Sequence, residues 1–337
     1  MIKYSVIVIV FTLITSKAYS QFPVPVDTIY NFIRHKSIHR NSVQWEVIDK
    51  EFYKKLASAK TPDDTLKCFV MVFERLGDVH SQLYFNNKIY SSYPVFSDDE
   101  LKRLVPLVNR SNAEAGNIKT SLLLNRFVYL QIPGITAWGD QINEYAQAIN
   151  DSICKYDSKK PKGVIVDLRL NGGGNIKPML AGVSMLLGNV YLGGTTDIAD
   201  NVLGKWQIDK GNLYMEDYKT TDITSKCTGN YEKMPVVILT GPVTKSSGSM
   251  TAIAFKGRRK TYFIGEPTAD GYTTGNSWNE LSEGLVLNLS TSFVADRNGT
   301  IYKTTVAPDL LITAGDNFDD LLHDEKIKAA IKWLDLN

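Results

Sequence analysis

The chain has 337 residues, with 38 Lys and Arg against 36 Asp and Glu and a formal net charge of +2. The charges are intermixed and no basic stripe carries interleaved aromatics, which argues against a nucleic-acid partner. Cys68, Cys154 and Cys227 are widely spaced and odd in number, so there is neither a disulfide framework nor a paired zinc motif, and at most one disulfide forms.

The first residues, MIKYSVIVIVFTLITSKAYSQ, join a charge at Lys3 to an apolar run from Tyr4 to Ile14 and to small residues at Ala18 and Ser20. That is the layout of a secretory signal peptide over residues 1–20, so the mature chain is expected to start at Gln21 in a periplasmic or extracellular compartment. The apolar run is shorter than the ~20 residues a membrane span needs. No span is expected after cleavage, and an uncleaved anchor is the other reading of these residues. No cysteine follows the cleavage site, so a lipid anchor is not indicated. The remaining length suits a catalytic domain with a smaller companion.

From Val26 to about Leu76 the apolar spacing is helical, with Ile29, Phe32 and Ile33, then Trp45, Val47 and Ile48, then Phe52 and Leu56. His35 and His39 stand four apart, but no further ligand follows at a suitable spacing, so they are read as an exposed helix face and no metal is expected. In KTPDDTLKCFVMVFERLGD, Thr61 is placed to cap, Pro62 suits the first turn, Asp63 and Asp64 favour the positive end, and Gly77 stops the helix. The following DVHSQLYFNN is strand-like, which puts His80 where helices give way to a sheet. The polar stretch VNRSNAEAGN, Val108 to Asn117, marks the boundary between a mainly helical domain over 21–112 and a catalytic domain over 113–337.

Beyond that boundary strands and helices alternate. RFVYLQI, KGVIVDLRL, MPVVILTG and TYFIGEPT read as strands; DQINEYAQAINDSICKY, KPMLAGVSMLLG and SSGSMTAIAFKG read as helices. Such alternation predicts a mixed α/β domain with a largely parallel core. The cluster KGRRK, Lys256 to Lys260, is read as a solvated helix end. Two strands are expected around a turn at Asn298 and Gly299, then a last helix from about Asp319 to Leu334.

Two strand-to-helix junctions carry candidate chemistry. In GVIVDLRLNGGGN, the glycines Gly172 to Gly174 let backbone amides converge on one point, as an anion or oxyanion requires. The spacings of a P-loop and of a dinucleotide fingerprint are absent, and Asp167 and Arg169 are read as scaffold. In GPVTKSSGSMTA, Gly241 to Ala252, a serine at position 246 would stand at a helix start with the Ser247 amide beside it. A helix cap explains the same residues.

In chain order, LGDVHS, DLRLNGGGN, LTGPVTKSSGSMTA with FIGEPTADGYTTGN, and TVAPDLLI form a set that resembles the tail-specific and C-terminal processing serine peptidases, with the tricorn core peptidase and the interphotoreceptor retinoid-binding protein as relatives. The resemblance runs from about Asn41 to Leu311 and implies a crotonase-like α/β catalytic domain behind a small helical one. It implies Ser246 as nucleophile, followed by a small residue, Gly248 and then Ser249 where the family carries an acid. It implies Gly173 or Gly174 as the glycine whose amide joins that of Ser247 in the oxyanion hole. The base of the bacterial branch, a lysine, would fall on Gly271, and Lys245 is a poor substitute because neighbours at a helix start point apart. The tricorn branch uses a histidine beside a helper serine, which His80 and Ser81 match. Its downstream glutamate is missing, with Lys303 near its place; Asp296 is the nearest carboxylate and Asp309 the next.

The resemblance thus implies an exported serine endopeptidase acting on protein or peptide substrates without a cofactor. Between Ser81 and Leu122 there is no room for a PDZ domain of ~90 residues. The other reading is an inactive scaffold that binds an apolar ligand or an unfolded peptide in the former cleft.

Overall fold

The computed structural model describes residues 23–337; the expected signal peptide and the start at Gln21 lie outside the described residues. The chain clusters into two compact units, residues up to Pro94 with Asn276–Thr291, and Val95–Gly275 with Ser292–Asn337. Residues 95–112, assigned from sequence to the N-terminal domain, cluster with the second unit. The reason is local pinning. Ser111 Oγ donates to the Leu170 carbonyl at 2.8 Å and Arg110 pairs with Asp319 at 2.7 Å.

The first unit begins with α1 (Val26–Lys36), α2 (Trp45–Ala57), α3 (Pro62–Leu76), β1 (Gln82–Phe85) and β2 (Lys88–Ser91). The Thr61 hydroxyl accepts from the Asp64 amide while the Asp64 carboxylate accepts from the Thr61 amide, and Gly77 closes α3 at φ 64°. These are the signals that the sequence carries for this helix. Ile29, Ile33, Phe52, Phe69 and Phe73 are fully buried in one core with Leu83 of β1. Leu285, Leu287 and Leu289 complete that core from far along the chain, and residues 285–288 pair antiparallel with β1.

The second unit opens with α4 (Asp98–Ala113), β3 (Lys119–Leu123), β4 (Phe127–Gln131), α5 (Gln141–Cys154) and β5 (Gly163–Asp167). It continues through α6 (Ile176–Gly182), α7 (Ser184–Leu187), β6 (Tyr191–Thr196), β7 (Val202–Asp209), β8 (Asn212–Met215) and β9 (Tyr218–Lys219). Then come β10 (Val236–Thr240), α8 (Ser247–Phe255), β11 (Thr261–Gly265), β12 (Gly275–Ser282, which passes into the first unit), β13 (Leu285–Asp296, which returns), β14 (Ile301–Tyr302), β15 (Leu310–Leu311) and α9 (Glu325–Leu334).

Its main sheet has the order β15-β11-β10-β5-β4-β3, parallel throughout except where β3 meets β4. This is the mixed α/β, largely parallel domain that the alternating pattern predicts. Successive side chains leave a strand on opposite faces. Val164 and Val166 therefore join Ile149, Ile153, Met179 and Phe255 on one side. Ile165, Val237 and Leu239 meet Ile327, Ala330 and Leu334 of α9 on the other. The parallel strands end together at one edge, and the two junctions of interest follow β5 and β10 there.

Three local expectations need correction. The run KPMLAGVSMLLG is two helices, broken at Val183, where ψ is 11°. The last helix starts at Glu325, because the Asp324 carboxylate caps it by accepting from the Lys326 and Ile327 amides. Nor is KGRRK solvated throughout. Arg258 is buried and its guanidinium donates to the carbonyls of Leu186, Tyr231, Glu232 and Met234. A guanidinium with five donors can satisfy several carbonyls at once. Cys154 and Cys227 form a disulfide, and Cys68 is free and buried.

Candidate active site

The strand β10 is buried along its whole length, and the turn after it is tied down residue by residue. Thr244 Oγ1 accepts from the Gly241 amide at 3.0 Å and donates to the Leu168 carbonyl at 2.8 Å. The Lys245 amide donates to the Asn171 carbonyl at 3.0 Å and the Ser246 amide to the Tyr272 carbonyl at 3.1 Å. Held this way, Ser246 has φ 53° and ψ −124°. A residue with a side chain occupies that region only under strain, which the surrounding bonds must sustain. The helix α8 starts at the next residue, and Gly248 is needed there because a Cβ would lie 2.7 Å from Asn171 Oδ1.

The glycine turn after β5 packs directly on this serine. Gly173 and Gly174 have φ of 105° and 118°. A Cβ on Gly173 would lie 2.9 Å from Ser246 Cβ and 3.4 Å from its Oγ, and one on Gly174 would lie 2.1 Å from the Ile135 carbonyl oxygen. The Ser247 hydroxyl donates to the Gly174 carbonyl at 2.5 Å, and the loop after β4 grips the same turn through Ile135, whose amide donates to the Gly173 carbonyl at 3.0 Å.

Asn171 separates the two glycines that the sequence left together. It is fully buried; its Nδ2 donates to the Ile132 carbonyl and its Oδ1 accepts the Gly173 amide at 3.0 Å. The Gly173 N–H is therefore taken. Among the described residues, the amides of Gly174 and Ser247 carry no acceptor. Two uncommitted N–H groups beside a serine hydroxyl are what a developing oxyanion needs.

His80 and Ser81 lie in the first unit, both buried. The organiser there is Asp78. Its carboxylate accepts the His80 amide at 3.1 Å, the Ser81 amide at 2.9 Å and the Ser81 hydroxyl at 2.5 Å. Ser290 Oγ also donates to it at 3.0 Å, and Asn276 Nδ2 donates to the His80 carbonyl at 3.1 Å. The role of Asp78 is a readable signal, since an aspartate two residues before the histidine can fold back on its own backbone.

Asp296 is buried in the second unit with both oxygens engaged. Oδ1 accepts the Asn298 and Thr300 amides at 2.8 and 3.0 Å, and Oδ2 accepts the Tyr302 hydroxyl at 3.0 Å. These bonds close the turn between β13 and β14. Asp309 holds the Phe263 amide at 2.8 Å. Lys303 pairs with Asp200 at 3.2 Å. Gly271 donates its amide to the Thr304 carbonyl, and the Ser249 hydroxyl donates to the Thr244 carbonyl at 3.3 Å.

Beneath the serine turn lies a buried ion cluster that sequence reasoning saw only in part. Arg169 pairs with Asp167 at 2.6 Å, with Asp324 at 2.7 Å and with Asp316 at 2.5 Å; Lys326 pairs with Asp316 at 2.8 Å. Glu266 meets Arg103 of α4. Asp167 and Arg169 are buried in this cluster, and Arg169 lies against Gly241, where a Cβ would stand 3.6 Å from its Cγ. Among the described residues no group of His, Cys, Asp and Glu is arranged to hold a metal ion, and no helix is long and apolar enough to cross a membrane.

Residues 126–312 match the model of peptidase family S41. A nisin-resistance protein from Lactococcus lactis subsp. lactis is 28% identical over 275 residues, covering 80% of this chain and 77% of that protein. The structure of a lipoprotein from Streptococcus agalactiae is similar at TM-score 0.68 and 25% identity, over 97% of this chain and 99% of that one. The photosystem II D1 C-terminal processing protease shares the fold at TM-score 0.52 and 11% identity, over 86% of this chain and 92% of that one.

Proposed function

The chain belongs to peptidase family S41, and on that footing we propose that it is an exported serine endopeptidase. Ser246 Oγ bonds to the carbonyl carbon of a peptide and gives its proton to His80, while the Gly174 and Ser247 amides bind the oxyanion. The C–N bond then breaks, the leaving amine takes the proton from His80, and water hydrolyses the acyl-enzyme by the same route. Ser81 and Asp78 hold His80 in place, and Asp296 closes a turn.

The observation that carries this reading is the strained backbone of Ser246, φ 53° and ψ −124°. A serine that merely capped a helix would have no need of it. Reaction with a fluorophosphonate probe tests the assignment. The label is expected on Ser246, and Ser249→Ala should still take it. His80→Ala should lose nearly all turnover with its circular dichroism unchanged. Cleavage by that variant at close to the parent rate would place the base elsewhere. A folded parent protein that takes no label would favour the scaffold that binds an apolar ligand or unfolded peptide.

Export is supported by the Cys154–Cys227 disulfide, since such bonds persist in oxidising compartments. Peptide mapping of the native protein without reductant should find that bond, and N-terminal sequencing should begin at Gln21. A reduced protein that keeps Met1 would overturn export. The relative from Lactococcus lactis is a nisin-resistance protein, which makes nisin the first peptide to assay.

A further inference from the structure

Lys245 precedes the proposed nucleophile and is half-buried. Its backbone is fixed at both ends, the amide by the Asn171 carbonyl and the carbonyl by the Gly248 amide, each at 3.0 Å. Its side chain runs along the glycine turn, with Cε 3.9 Å from where a Cβ of Gly172 would stand. The Ser246 hydroxyl occupies the equivalent place over Gly173, the next glycine. The ammonium therefore stands beside the serine turn, with its Nζ 5.4 Å from the centre of the Tyr272 ring.

Five other buried or half-buried cations of this unit have oxygen partners. Arg169 has three carboxylates, Lys326 has Asp316, Arg258 has backbone carbonyls, Lys256 has the Ala307 carbonyl and Arg297 the Ala254 carbonyl. Lys245 has only a ring face among the described residues. Burial lowers its pKa, and no charged group offsets that. The serines in the first turn of α8 are neutral and spend their protons on carbonyls, Ser247 on Gly174 and Ser249 on Thr244. An uncompensated cation beside uncommitted amides at a helix start makes the local field positive.

We propose that Lys245 is a specificity-determining residue that pairs with a carboxylate of the peptide substrate close to the bond being cut. This rests on Ser246 as nucleophile. The carboxylate is an Asp or Glu side chain or a free C-terminus, since both present the same anion to an ammonium. Pairing removes the cost of the unpartnered charge only when the substrate is bound, so it discriminates against substrates without the anion.

The test uses the full chain with Ser246→Ala, which binds peptides without cutting them. Its probes are dye-labelled random octapeptide pools. One has free C-terminal carboxylates, one has C-terminal amides, and a third is amidated with Asn and Gln in place of Asp and Glu. The carboxylate-bearing pools should be retained about tenfold better than the third, and adding Lys245→Met should abolish the difference. Lys245→Arg should keep it. Preference for the first pool alone identifies the C-terminus, and equal preference for the first two identifies the side chain. Equal retention of all pools by Ser246→Ala, or a preference that survives Lys245→Met, overturns the proposal. So does loss of fluorophosphonate labelling at Ser246 in the single variant Lys245→Met, which would make the lysine part of the chemistry. A parent protein that takes no label while the pools still separate would instead sink the peptidase reading.

Discussion

Alanine at position 246 is expected to cut turnover by roughly four to six orders of magnitude, the usual loss when a nucleophile is removed and the oxyanion site and substrate binding remain. The side chain is lost but the backbone stays at φ 53° and ψ −124°, so Ser246→Ala should keep the strain and fold with parent-like stability. Ser246→Gly should be as inactive and yet more stable than the alanine variant by about 1 kcal/mol, because glycine adopts this region without a Cβ clash. The pair separates chemistry from conformation. Appreciable turnover in either variant would remove Ser246 from the mechanism, and equal thermal midpoints would show that the backbone there is relaxed.

Arg169→Met is expected to destabilise the second unit by about 3–5 kcal/mol, the cost of leaving buried charges without their partner. Asp167 and Asp324 are fully buried and Asp316 is half-buried, and all three face the guanidinium. In the parent protein burial pushes the Asp316 carboxyl up, but Arg169 and Lys326 outweigh it and hold it below the usual carboxylate range. That contribution to stability is present above the ordinary value of ~3.9 and is lost as pH falls through the lowered one. In the variant Lys326 alone opposes burial at Asp316, so the lowering weakens, and the loss of stability as pH falls from about 5 to about 3 should be smaller than in the parent. Urea unfolding at the two pH values measures both effects, and a parent-like midpoint at each would show that the cluster contributes nothing.

What was readable from the sequence is what depends on neighbours in the chain. The apolar runs of β4, β5 and β10 are buried over all five residues and β11 over its last three, and such runs announce strands covered on both faces. The cap at Thr61 and the stop at Gly77 are equally local. The helix α4 was not foreseen although Ser97 and Glu100 form a capping box, because Pro106 interrupts it and Ser111 is its one buried residue. The hairpins from β6 to β9 were missed as well, though β7 alternates exposed and buried positions along most of its length.

Other features have no local signature. The Gly173 amide is taken and that of Gly174 is not because Asn171 Oδ1 turns back on the first of them, a choice that needs the folded turn. Arg258 looks like part of a basic surface run until the carbonyls that surround it are known. Residues 276–291 were read with the catalytic domain, since their pairing with β1 joins segments about two hundred positions apart.

That distance sets an order of maturation. The unit that bears His80 cannot close its core without Leu285, Leu287 and Leu289, and Ser290 lies 209 residues after the Ser81 it supports. Synthesis proceeds from the N-terminus, so the proposed base is laid down early but its surroundings are finished late. The serine turn waits as well, because Asp316, Asp324 and Lys326 of the ion cluster and Ile327, Ala330 and Leu334 of α9 come later still, so neither the proposed nucleophile nor the proposed base has its full surroundings until nearly the whole chain has been delivered.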